Sequence, residues 1–151
     1  GDENRFNVIA GDQFMMVERA FHIVAVGFTA DGNKINDIET AMLNEIAYER
    51  FIPYIQKYEF ETLLFADPIG FCDMPLTAEQ FDSINAITQA YPNIEDINGG
   101  PDTAPSKRLK SIFNYHKVAD SQIILNDIKM ETIISKSAGF GKWVERLKNL
   151  F

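Results

Sequence analysis

The hydrophobic pattern of this chain changes period at the turn Asp31-Gly32-Asn33, and that change constrains the fold more than any other feature. Before the turn, Phe21-His22-Ile23-Val24-Ala25-Val26-Gly27-Phe28 runs without interruption and is crowded with β-branched and aromatic residues, so it reads as a buried strand. Asn7-Val8-Ile9-Ala10 reads as a shorter strand, and Phe14 to Val17 is apolar but too short to assign. After the turn, Ile35, Ile38, Met42 and Ile46 recur at the spacing of one helix face over Lys34 to Arg50, with Asn33 as its cap.

Beyond this helix, Phe51 to Ile55 reads as an extended strand, and Pro53, lacking an N–H, places it at a sheet edge or leaves it only partly paired. Glu59 to Phe65 reads as a short helix with Phe60, Leu63 and Leu64 on one side, ended by Asp67-Pro68. Thr77 followed by Gln80 is a capping box, in which each side chain satisfies a free N–H at a helix start. Leu76 and Phe81 stand where a hydrophobic staple would put them, and Phe81, Ile84, Ile87 and Tyr91 form the buried stripe up to Pro92.

After a loop from Ile94 to Pro101, a helix is expected from Pro105, with Leu109, Ile112, Phe113 and His116 facing the core. Short helices are expected over Gln122 to Ile128 and Met130 to Lys136, and a last one from about Phe140, burying Phe140, Trp143 or Val144, Leu147 and Leu150. The sum is a single α/β domain over residues 1–151: a small sheet of few strands covered by several helices, with a helix-dominated C-terminal half.

Composition bounds the function. The net charge of -8 makes the whole chain a poor stand-alone binder of nucleic acid, which is held by neutralising phosphates with Lys and Arg. Any nucleic-acid contact is expected to be weak or to run through a partner. Cys72 is the single cysteine, so neither an intrachain disulfide nor a thiolate cluster is open to the chain, and Cys72 reads as a small packed residue. No apolar run approaches the roughly 20 residues of a membrane span, and no secretory signal is visible, which together point to the cytoplasm and away from a membrane. The chain begins at Gly1 rather than Met, so an upstream part is expected to have been removed.

Two clusters have residue types that carry chemistry. Glu59, Glu61 and Asp67 offer hard oxygen ligands for Mg²⁺ or a general base. Acidic residues are equally expected in a first helical turn, where the dipole favours them, and neighbours two apart on a helix do not face each other. Ser106, Lys107 and Arg108 at a helix start, with Tyr115 and Lys117 further on, form the one basic cluster in an acidic chain and suit a phosphate or other anion, or a partner. The same residues also read as a solvated helix face, with the Pro-Ser-Lys-Arg turn capping its helix against Glu95 or Asp96. His116 reads as a core histidine on an apolar stripe, and Gly139-Phe140-Gly141 alone carries no functional signal.

The ordered blocks Phe51 to Asp67, Pro92 to Asn98 leading into Thr103-Ala104-Pro105-Ser106-Lys107-Arg108, Tyr115 with Lys117, and Phe140 to Leu147 with Trp143 resemble a bacterial domain-of-unknown-function family, number four-two-seven-six, from about Glu39 to the C-terminus. That family is similar to Toprim domains, and its members often lie beside AAA-type ATPases in phage-defence loci. The resemblance implies a partial or degenerate Toprim-like fold, an AAA-type ATPase partner, and Mg²⁺ as the cofactor of an active, nuclease-like member. Two implied elements are missing. Val24 stands where the aspartate of the family's strand-end motif is expected, and Val17-Glu18-Arg19 does not match the opening Val-Glu-Gly-type motif, so residues 1–33 read as divergent or incomplete. The resemblance therefore implies a non-catalytic or partner-dependent subunit of a defence-type assembly, with a metal-dependent phosphodiesterase or nuclease as the alternative.

Overall fold

The computed structural model describes the backbone of Met15–Glu18 and Ile23–Val26 and, with side chains, residues 35–149. The strand expected over Asn7 to Ala10, the turn at Asp31 and the Asn33 cap lie outside the described residues. Strand β1 (Met15–Glu18) pairs antiparallel with β2 (Ile23–Val26) in the register Met15 to Val26 and Glu18 to Ile23. Among the described residues six α-helices follow: α1 (Ile35–Ile46), α2 (Ala78–Ala90), α3 (Pro105–Ile112), α4 (Lys117–Asp127), α5 (Met130–Lys136) and α6 (Ala138–Lys148). Two 3₁₀ segments, Phe60–Ala66 and Pro68–Phe71, and a shorter one at Ile94–Asp96 complete the described elements.

This overturns the expected small sheet covered by helices, and with it the partial Toprim-like α/β fold. The described residues are dominated by helix, and their only ladder is the two-stranded β1–β2 pairing. A sheet layer that helices can cover needs more than two strands. Phe51 to Ile55, expected as a strand at an edge or only partly paired, lies in no strand among the described residues. With Pro53 unable to donate to a ladder, burial and side-chain bonds hold the segment in place.

The contacts divide the chain into two compact units, Gly1–Lys57 with Lys142–Phe151, and Tyr58–Gly141. In the first, Met42, Phe51 and Ile55 form a small core against which Ile35, Ile38 and Ile46 pack, as the periodicity of α1 predicts. The Trp143 indole N–H donates to the Ile52 carbonyl at 3.2 Å, and its ring stacks on Tyr54 with centroids 5.1 Å apart. No residue of α6 is fully buried, although Phe140, Trp143, Val144 and Leu147 are each partly so.

The second unit has the larger core, built on Leu64, Phe65, Phe71, Ile84, Ile94, Ile97, Leu109 and Ile124, all essentially without solvent exposure. Each such aliphatic or aromatic side chain contributes roughly 1.5–3 kcal/mol by leaving water. Phe71, Phe113 and Tyr115 continue the core as a chain of edge-on rings. Gly70 lets the second 3₁₀ segment pack tightly: a Cβ there would lie 2.5 Å from the Ile124 carbonyl oxygen. The capping box of α2 forms as the sequence predicts, with Gln80 N–H donating to Thr77 Oγ1 and Thr77 N–H to Gln80 Oε1.

Three local expectations are corrected. Phe60 is exposed while Leu64 is buried, because the Phe60–Ala66 segment winds as a 3₁₀ helix, whose period of three takes Phe60 off the face of Leu64. His116 is exposed rather than in the core, since α3 ends at Ile112 and His116 becomes the N-cap of α4, its N–H donating to Asp120 Oδ2 at 2.6 Å. Cys72 is exposed rather than packed, standing at the C-terminal cap of the Pro68–Phe71 segment.

Candidate functional site

The residues singled out in the sequence assemble within the second unit, where the segment from Glu59 to Ala66 faces the starts of α3 and α4. Tyr58, just before it, is held at φ 66°, a left-handed conformation that costs a non-glycine residue about 1–2 kcal/mol. Glu59 is the residue before the first 3₁₀ turn. Its Oε2 accepts from the Ser106 backbone N–H at 2.8 Å and its Oε1 from the Ser106 hydroxyl at 2.9 Å. The α3 start, with Pro105 at its first position and no cap from Ala104, is thus occupied by a carboxylate from 47 residues earlier. A helix N-terminus favours an anion through its free N–H groups and dipole, and here the chain supplies that anion itself.

Glu61 is 1% exposed, and the Lys117 ammonium lies 3.2 Å from its Oε1 and 3.3 Å from its Oε2. Beyond that pair, Glu61 Oε1 and the Tyr115 hydroxyl have no hydrogen-bond partner among the described residues. Burial, and then the Glu61 charge beside it, raise the Tyr115 phenol far above its usual range and hold it neutral. Asp67 is committed elsewhere, its Oδ1 accepting from the Ile69 N–H at 3.0 Å to cap the second 3₁₀ segment. The three expected metal ligands therefore point at three different partners. Among the described residues, no three His, Cys, Asp or Glu side chains are grouped to hold a metal ion.

The basic cluster is likewise spent on the fold. The Arg108 Nε donates to the Thr103 carbonyl at 3.0 Å, and its Nη2 to the Ile97 carbonyl at 3.0 Å and the Tyr91 hydroxyl at 3.1 Å. The guanidinium also lies 5.3 Å from the Tyr91 ring centroid. Arg108 thereby clamps the loop that precedes α3. Lys107 donates to the Pro101 carbonyl at 2.5 Å and lies 3.7 Å from Asp102. Its head is more than half exposed, so it is held far less firmly than Arg108.

The sequence reading missed Glu95. Named only as an alternative to Asp96 beside the Pro-Ser-Lys-Arg turn, it instead accepts at Oε1 from the Ser137 hydroxyl at 2.6 Å and the N–H groups of Gly139 at 2.7 Å and Phe140 at 3.3 Å. It is 8% exposed and caps α6. The glycine at 139 has its reason here, since a Cβ would meet Glu95 Oε1 at 3.0 Å. The only local signal was Ser137 just before a helix start, which points to a cap without naming the partner.

Among the described residues no helix is long and apolar enough to cross a membrane. No curated protein and no solved structure matches the chain significantly. One family model does, and its match begins well before the Glu39 from which the resemblance was read. The chain belongs to the family described as Domain of unknown function (DUF4276), whose model matches residues 15–148.

Proposed function

We propose that this chain is a non-catalytic, partner-dependent subunit of a bacterial defence-type assembly, with an AAA-type ATPase as the partner. What supports this is that most of the side chains that chemistry would need are already engaged by other groups of the protein. Glu59 is bound by Ser106, Glu61 by Lys117 and Asp67 by Ile69, while Arg108 is tied to the Thr103 and Ile97 carbonyls. Carboxylates that hold Mg²⁺ must present free oxygens to one point, and cations that hold a phosphate must be free to turn toward it. The charge of -8 adds that a nucleic acid would reach this chain through the partner.

The alternative, a metal-dependent phosphodiesterase or nuclease, requires Glu59 and Glu61 to leave their present donors together. Purified chain supplied with Mg²⁺ or Mn²⁺ is expected to leave DNA and RNA intact and to give no metal-binding heat. Affinity capture of the chain from its native host is expected to recover an AAA-type ATPase in one co-eluting complex. Cleavage that disappears in Glu61→Gln, without loss of folding, would replace this reading by the alternative.

A further inference from the structure

The stretch from Tyr58 to Ser106 carries nine carboxylates and no Lys, Arg or His. Within it lies an open apolar groove of about 330 Å³. Phe71 and Met74, both buried, form its floor; Leu76 and Phe81 line it; Cys72 and Ala78 are exposed at its edge. Its one hydroxyl, on Thr77, is engaged in the capping box of α2. A small polar ligand needs a few convergent polar groups to fix its orientation, and this groove offers none that is uncommitted. Its volume suits one or two bulky apolar side chains.

Asp73, Glu79 and Asp82 each adjoin a lining residue in sequence, and all three are exposed. Glu79 and Asp82 are three apart on α2 and share a face. None of the three is in an ion pair among the described residues, although surface carboxylates elsewhere in the unit are paired, as Asp102 is with Lys107. An apolar floor whose lining residues adjoin exposed, unpaired carboxylates in sequence complements a bulky apolar side chain with positive charge beside it.

We propose that this groove docks a short basic-apolar segment of the partner protein: one bulky apolar side chain in the groove, with Lys or Arg on either side facing Asp73, Glu79 and Asp82. The proposal rests on the partner-dependent reading above and specifies the chemistry of the contact. Acidic groups at the rim steer a basic partner and set salt dependence, while the apolar anchor supplies residence time.

Cys72, the single thiol, reports occupancy directly. The probe is a synthetic peptide with one central Phe flanked by Lys and Arg, and the readout is the rate of Cys72 alkylation by mass spectrometry. Saturating peptide is expected to slow alkylation about tenfold, since a covered thiol is less accessible to the reagent. Protection should be lost when the central Phe of the peptide is replaced by Ala, and in the D73K/E79K/D82K chain. Rates with and without peptide are compared within each variant, which removes any effect of the new lysines on the thiol. Ala78→Lys, a single exposed change at the groove edge, repeats the test should the triple variant not fold. Unchanged alkylation with peptide, equal protection by an acidic-flanked peptide, or equal protection of the charge-reversed chain overturns the proposal. Co-elution with the ATPase separates the two claims. Equal co-elution of the wild-type and charge-reversed chains rejects the groove and leaves the subunit reading intact, whereas wild type eluting alone rejects that reading.

Discussion

Helices α2 and α6 solve the same problem, the unpaired N–H groups of a first turn, from opposite distances. At α2 the solution is local: Thr77 and Gln80 exchange bonds across three residues at an exposed site. At α6 it is remote: Glu95, 42 residues before Ser137, brings a buried charge to Ser137, Gly139 and Phe140. The start of α3 follows the remote pattern, with Glu59 on Ser106. A local cap stabilises one helix whatever surrounds it. A remote cap ties distant segments of chain together, and losing it leaves donors that water reaches poorly.

The comparison predicts a ranking. Glu95→Ala is expected to have the largest effect, about 3–4 kcal/mol in urea denaturation, because it leaves a buried hydroxyl and two N–H groups without an acceptor. Glu95→Gln keeps an acceptor oxygen and should recover about half of that, which separates the bond from the charge. Equal losses in the two variants would mean that the charge carries the whole effect. Glu59→Ala should cost about 2 kcal/mol, since its site is partly open to water. Thr77→Ala should cost about 1 kcal/mol, the usual worth of a local cap. A Thr77→Ala loss as large as that of Glu95→Ala would break the distinction between local and remote caps.

The smallest effect belongs to Glu39 on α1. Burial raises its pKa above the ordinary 4.5, with the Ile55 backbone N–H and the charge of Arg146 acting in opposition. A carboxyl that binds its proton more tightly when folded contributes stability below pH 4.5 and loses it as pH rises through the raised value. Glu39→Gln should therefore raise Tm slightly at pH 7, and the gain should vanish on acidification below about pH 4.5. A gain that persists in acid would remove desolvation as its cause.

Legibility in the sequence followed the same division. The face of α1, the box at Thr77 and Gln80, and Pro105 at the first position of α3 were all readable, because each depends on residues within a turn or two. The strand reading failed where it extended a local preference into a layer. Phe51 to Ile55 has strand composition, yet no strand among the described residues pairs with it, and the Trp143 indole, 91 residues away, bonds its Ile52 carbonyl. His116 failed for a related reason: a helical stripe was extended past Ile112, where the chain breaks and restarts as α4.

By itself, then, the sequence determined where most helices lie, how α2 begins, and the family to which the chain belongs. Those follow from bonds and packing between near neighbours, whose loop-closure cost is small. Only the tertiary structure decided that Glu59 meets Ser106, that Glu61 meets Lys117 across 56 residues, and that Arg108 clamps its own loop. Such partners are chosen by the path the chain takes to bury Leu64, Phe65, Ile84, Leu109 and Ile124. A carboxylate carried along that path pairs with whichever donor the packing brings to it.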